Sequence, residues 1–121
     1  MAARGERIIR AGDKEITVLF TNRALADAEE RMGRSIFGLV QGLMGGQTGM
    51  ADIAELLRTG MQAARRDAGE RPSTVSLDSA YAVLDTAGVT PVATILMSAI
   101  AAVLSYDPAK NGNRPEESDP N

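Results

Sequence analysis

The chain has no histidine and no cysteine. Without histidine it lacks the usual general base near neutral pH and the commonest transition-metal ligand. Without cysteine it has no thiolate ligand, no disulfide and no thiol nucleophile. Zinc sites, Cys–His nucleophiles and Ser–His–Asp triads are thereby excluded, and only carboxylate chemistry is left to an enzyme. Glu29 and Glu30 are adjacent and point in different directions on a helix, so they make no catalytic pair. The expectation is a protein with no catalytic, cofactor-binding or metal site. Tryptophan is also absent, and aromatics are 3% of the 121 residues, namely Phe20, Phe37, Tyr81 and Tyr106. The core must then be Ala, Leu, Ile, Val and Met, a mixture that favours helices and packs softly. A basic excess is missing as well. The net charge of −3 does not provide the electrostatic footprint of a general nucleic-acid binder. Met1 to Arg10 lacks the apolar segment of a secretory signal, which makes the cytoplasm the expected compartment.

What is present is organised around Thr90 to Tyr106. Thr90 is placed to cap a helix, and Pro91 suits a first helical position because its missing N–H costs nothing there. Val92, Ile95, Leu96, Ala99 and Val103 recur at helical spacing. Met97, Ile100 and Leu104 fall off that stripe and are apolar too. A helix apolar nearly all round is buried or covered by another chain. A membrane span needs about 20 apolar residues, and Thr94 and Ser98 interrupt this shorter run, so no membrane is expected.

Upstream, Glu6 to Arg10 and Glu15 to Phe20 read as two short strands joined through Gly12-Asp13. Ile16, Val18 and Phe20 share one face, with Glu15, Thr17 and Leu19 on the other. Such a ribbon is marginal alone and needs helices or another chain against it. A first helix spans Asn22 to Met32, capped by Thr21 or Asn22 and stopped by Gly33. Arg23, Asp27 and Arg31 form a charge ladder, as do Glu30 and Arg34. A second helix spans Ser35 to Met44, with Ile36, Leu39, Val40 and Leu43 on its apolar stripe. Gly38, Gly42 and Gly46 line another face at a cost of roughly 0.5–1 kcal/mol each, which suggests close approach of another helix or a deliberately soft element. The link from Gly45 to Gly49 has no lysine and is no phosphate loop. A third helix, Met50 to Ala68, carries Ile53, Leu56, Leu57, Gly60, Met61 and Ala64 on one face. Its Arg58, Arg65 and Arg66 read as a solvated face matched to the helix dipole. A fourth, Leu77 to Ala87, has Ser76 as cap and Gly88 as stop.

These elements define a mainly α fold: a short N-terminal β-hairpin followed by about five helices packed around the apolar C-terminal helix. Residues 1–106 form one domain. Residues 107–121, rich in proline and acidic side chains, read as a disordered tail.

The order of elements and three segments carry a resemblance. The segments are Leu25-Ala26-Asp27-Ala28-Glu29-Glu30-Arg31-Met32-Gly33, Asp52-Ile53-Ala54-Glu55-Leu56-Leu57-Arg58-Thr59-Gly60-Met61, and the Leu84-Asp85-Thr86-Ala87-Gly88 step into the last helix. Over Ile16 to Leu104 the chain resembles the small tail-assembly proteins of siphophage-type tails and gene transfer agents, a family labelled both tail tube protein and tail assembly chaperone. The resemblance implies the tape-measure protein and the tail tube subunit as partners, in the host cytoplasm. It also implies the chance of a longer frameshifted form extending from the tail. A tube subunit is expected to be β-rich, so two short strands favour the chaperone. The alternatives are a structural tail component of the particle and a small helical DNA-binding regulator. The regulator is disfavoured by net charge and by Leu77 to Ala87, which offers no basic recognition face. For partner contact the candidates are Phe37, Val40 and Met44 on the second helix and Met97, Ile100 and Leu104 on the last. Spare apolar faces also suggest a homo-oligomer.

Overall fold

A computed structural model of the chain describes residues 4–111. Strands β1 (Glu6–Ala11) and β2 (Lys14–Leu19) precede helices α1 (Asn22–Met32), α2 (Ile36–Met44), α3 (Met50–Asp67), α4 (Leu77–Ala87), α5 (Val89–Leu104) and α6 (Pro108–Asn111). The hairpin followed by helices is the mainly α architecture expected from the pattern.

The strands pair antiparallel around Gly12-Asp13, with Arg7 opposite Val18, Ile9 opposite Ile16 and Arg10 opposite Glu15. Ile9, Ala11 and Val18 are buried on the helix-facing side. Arg10 and Glu15 form an exposed ion pair on the other side. Leu19, expected outward with Glu15 and Thr17, is instead buried with Ala24 and Ala63. The start of α1 and the last turns of α3 close over that end of the ribbon, so both of its faces are covered there.

Capping residues fix the helix ends. Thr21 accepts the Ala24 N–H at 3.1 Å, and Ser76 accepts the Ser79 N–H at 3.1 Å. Gly33 ends α1 with φ +65°, a left-handed conformation that only glycine enters freely. That turn takes Arg34 out of helical register. Arg34 therefore pairs with Asp52 rather than with Glu30, while the expected Arg23–Asp27 pair forms at 3.5 Å.

Thr90 does not cap α5. Gly88, at φ +94°, ends α4 and starts α5 with no side-chain cap. The two helices meet at 112° across that single residue. Pro91 thus sits third in the helix, where its missing N–H still falls among the unpaired donors of the first turn.

The core lies between α3 and α5. Leu56 and Leu57 of α3 and Val92, Leu96, Ala99 and Ile100 of α5 are sealed from solvent, together with Phe20 and Val18. α3 approaches β2 through Gly60, where an added Cβ would lie 2.8 Å from the Phe20 Cζ atom and 3.0 Å from the Val18 Cβ atom. Arg58 is not on a solvated face. Its side chain is 13% exposed and pairs with Glu55, 18% exposed. It also donates to the Gln62 Oε1 atom at 3.1 Å and the Val75 carbonyl at 3.3 Å. Gln62 Oε1 in turn accepts the Val75 N–H at 3.0 Å. A charge in the middle of a helix has gone inward because the connection before α4 brings unpaired backbone groups to it.

At the C-terminal end, Asp107 accepts the Ala109 N–H at 2.9 Å and starts the single turn of α6. That turn falls in the expected tail, and residues 112–121 lie outside the described residues. Among the described residues no single helix is long and apolar enough to cross a membrane.

Candidate functional site

The two longest stretches of the chain without charge are Ser35 to Ala51 and Thr86 to Tyr106. The fold puts them together, with α2 lying on α5. α5 is mostly enclosed. α2 is not, and it presents the largest exposed apolar side chains on any one helix.

Polar groups fix both ends of α2. Ser35 Oγ accepts the Phe37 N–H at 3.1 Å and the Gly38 N–H at 3.3 Å. Glu29 Oε2, from α1, accepts the Ile36 N–H at 2.8 Å. Three otherwise free donors of the first turn are thereby satisfied. At the other end Thr48 donates its hydroxyl to the Leu39 carbonyl at 3.4 Å, and the Gln47 N–H reaches the Gly42 carbonyl at 2.7 Å. Glu29, set aside from sequence as a catalytic partner of Glu30, thus holds α2 in place.

Ile36 and Leu39 point into the core, with Val40 and Leu43 half-buried beside them. On the outer side Phe37 is 65% exposed and Met44 70% exposed, and Met50 at the head of α3 is 52% exposed. Phe37, Val40, Gln41 and Met44 are spaced i, i+3, i+4, i+7 and share that side of the helix. Gly42 has a reason within the chain: an added Cβ would come within 2.5 Å of the Thr48 hydroxyl oxygen. The close neighbour is thus a threonine side chain, not another helix backbone. Gly38 has nothing within 4 Å.

Beside the ridge, a cleft of about 270 Å³ opens between the C-terminal half of α2 and the N-terminal half of α5. Leu43, Ile53, Ala93 and Met97 line it, together with Thr48 and Thr94. Small-molecule sites run from roughly 300 to 1,000 Å³. The cleft is largely apolar and lies at the small end of that range. A second hollow of about 340 Å³, between the hairpin and the end of α3, is lined by Glu6, Glu15, Arg65, Asp67 and Glu70 among others. Among the described residues no three acidic side chains converge to hold a metal ion.

The six residues proposed from sequence separate into three groups. Phe37, Val40 and Met44 stand together on α2, and Met97 lines the adjoining cleft, half-buried. Ile100 is fully buried and is corrected from contact residue to core residue. The hairpin packs on α5 as well as α2, α3 and α4, so more of its circumference is covered than one stripe predicts. Leu104 is half-buried against the core and does not line the cleft. Sequence reading missed Met50 and the cleft walls at Leu43 and Ala93. The neutral run continuing past α2 as far as Ala51 was the available signal for Met50.

Residues 4–102, from the hairpin through most of α5, match the profile of one family, described as phage tail tube protein, GTA-gp10. The chain belongs to this phage tail family. The matched span contains α2, the cleft and both neutral stretches, and it bears out the resemblance carried by Leu25 to Gly33, Asp52 to Met61 and Leu84 to Gly88. No curated protein and no solved structure matches the chain.

Proposed function

We propose that the protein is a tail assembly chaperone. It acts in the host cytoplasm and without catalysis, holding an apolar helical segment of the tape-measure protein until tail tube subunits assemble around it. The observation that carries this reading is the uncharged α2 surface, with Phe37 and Met44 exposed beside an apolar cleft. A helix laid across α2 meets anchors at i, i+3 and i+7 and places one apolar side chain in the cleft, which is the helix-in-groove mode of recognition. Methionine at Met44 and Met97 suits a client whose side chains vary along its length, because the thioether adapts to irregular shapes. The sheet content supports the same choice. Among the described residues the sheet has two strands, and each strand is six residues long.

The test is co-expression of the full chain with the tape-measure protein. The client stays soluble and co-purifies with the wild type, and Phe37→Glu or Met44→Glu abolishes both effects. A client equally soluble alone and never co-purifying refutes the chaperone reading. The family's label as a tail tube protein also accommodates a second reading, a structural component of the tail. Mass spectrometry of purified particles separates the two, since a chaperone is absent from finished tails and a component is present in stoichiometric amounts.

A further inference from the structure

The α2 face has a property that client binding does not require: it is complementary to itself. Phe37, Val40, Gln41 and Met44 map onto one another about a point midway between Val40 and Gln41. In an antiparallel pair of α2 helices with a two-fold axis at that point, each Phe37 faces Met44 of the other copy and each Val40 faces Gln41. The outer positions then form two thioether–aromatic contacts, a favourable pairing for sulfur near a ring. A two-fold axis normally penalises charge, because every charged residue near it meets its own like. Here that penalty is absent, since no charged residue occurs between Arg34 and Asp52. Arg34 is itself neutralised by Asp52. Outside the two neutral stretches both signs of charge recur along the chain, and among the described residues the second neutral stretch exposes no large apolar side chain except Tyr106.

We propose that, when no client is bound, the α2 face is covered by a second copy of this chain in that antiparallel arrangement. The area sets the strength of the pair. A fully buried aromatic side chain hides about 150–250 Å²; at their observed exposures Phe37 and Met44 offer roughly 250–300 Å² per copy on that scale. Counted over both copies, these two side chains fall well short of the ~1,200 Å² at which stable interfaces begin. The dimer is therefore weak, forms at high concentration and yields to a better partner. The proposal does not depend on what the client is, and either reading stands if the other falls.

Sedimentation equilibrium of the full chain over concentrations from about 1 μM to 1 mM spans the range of such weak interfaces. A monomer–dimer equilibrium is expected. Phe37→Glu and Met44→Lys each weaken it by about tenfold or more, because each leaves a charge against an apolar side chain. Mixing the two variants in equal amounts restores a heterodimer, since the introduced carboxylate then faces the introduced ammonium while the unaltered Met44 and Phe37 meet at the other end. Circular dichroism and thermal melting are run on both variants, and unchanged folds are expected because both side chains are mostly exposed. A wild type that stays monomeric throughout overturns the proposal, even where it still captures the tape-measure protein. So do variants that dimerise as well as the wild type, or a mixture that fails to recover.

Discussion

Replacing Gly60 by alanine adds one methyl group where α3 packs against Phe20 and Val18. In an open helix the same change stabilises by roughly 0.5–1 kcal/mol, through propensity alone. At Gly60 the methyl carbon would stand 2.8 and 2.9 Å from the Phe20 Cζ and Cε2 atoms and 3.0 Å from the Val18 Cβ atom. Carbon atoms pack best at about 3.5–4.0 Å. The Phe20 ring is sealed from solvent and has no free space to swing into, and the Val18 Cβ atom is fixed to the strand backbone. Relief requires α3 to move off the hairpin, and overpacking of this kind costs about 1–3 kcal/mol. The net expectation is a loss of about 1–2 kcal/mol, the steric cost exceeding the propensity gain. Gly38→Ala is the control. It lies in a helix with nothing within 4 Å of its added Cβ, so it should gain roughly 0.5–1 kcal/mol. Urea denaturation at equal m-values, at concentrations where the chain is monomeric, reads both changes directly. Opposite signs are expected, with the Gly60→Ala melting point several degrees lower. A Gly60→Ala protein as stable as the wild type would refute the idea that hairpin and helix meet tightly at this glycine.

The Arg58 cluster offers a double-mutant cycle. Arg58→Met and Glu55→Met each leave a largely buried charge without its ion-pair partner and should cost about 2–3 kcal/mol, whereas the double variant should cost clearly less than the sum of the two; chemical denaturation of the three variants checks this. Ser35→Ala removes an acceptor from two N–H groups of α2 and should cost about 1 kcal/mol. Hydrogen exchange should then show faster exchange in α2 with α5 unchanged. A Gly42→Cys, Thr48→Cys pair should oxidise spontaneously in this cysteine-free chain, because a Cβ at position 42 would lie 3.7 Å from that of Thr48, within the normal span of a disulfide. The oxidised form should be about 2 kcal/mol more stable than the reduced form, the value for so short a loop; non-reducing mass analysis and paired melts test it.

Much of the fold was legible because it is written in local chemistry. α1 and α4 begin and end where Thr21, Gly33, Ser76 and Gly88 place their boundaries, and the hairpin turns on Gly12-Asp13. What was not legible depends on neighbours distant in sequence. Leu19 alternates correctly for an outward residue and is buried only because α1 and α3 meet over it. Arg58 has the spacing of a surface cation, and its inward turn depends on Val75, 17 residues away. The candidate site divides in the same way. Phe37 and Met44 stand out within one helix, as apolar side chains off the stripe that Ile36 and Leu39 define. The cleft joins Leu43 to Ala93, and no local pattern connects those positions. Ile100 failed for the converse reason, since an off-stripe position on a helix enclosed from several sides is still interior.

The contrast between the two neutral stretches bears on how α2 can serve as a contact surface at all. α5 has sixteen residues and buries four side chains completely among its neighbours. α2 has nine residues and buries only Ile36 and Leu39. Nine residues fall short of the roughly 12–15 an isolated helix needs to persist in water. Its order therefore rests on those two side chains and on donors and acceptors at its ends: Ser35, Glu29 and Thr48. Those groups bind backbone and leave the outer side chains uncommitted. That division lets Phe37 and Met44 remain outside without the helix being lost, and a partner proposed to bind there would exchange on α2 without disturbing the α3–α5 core. A surface held instead by burying Phe37 would be more stable and would have nothing left to offer another chain.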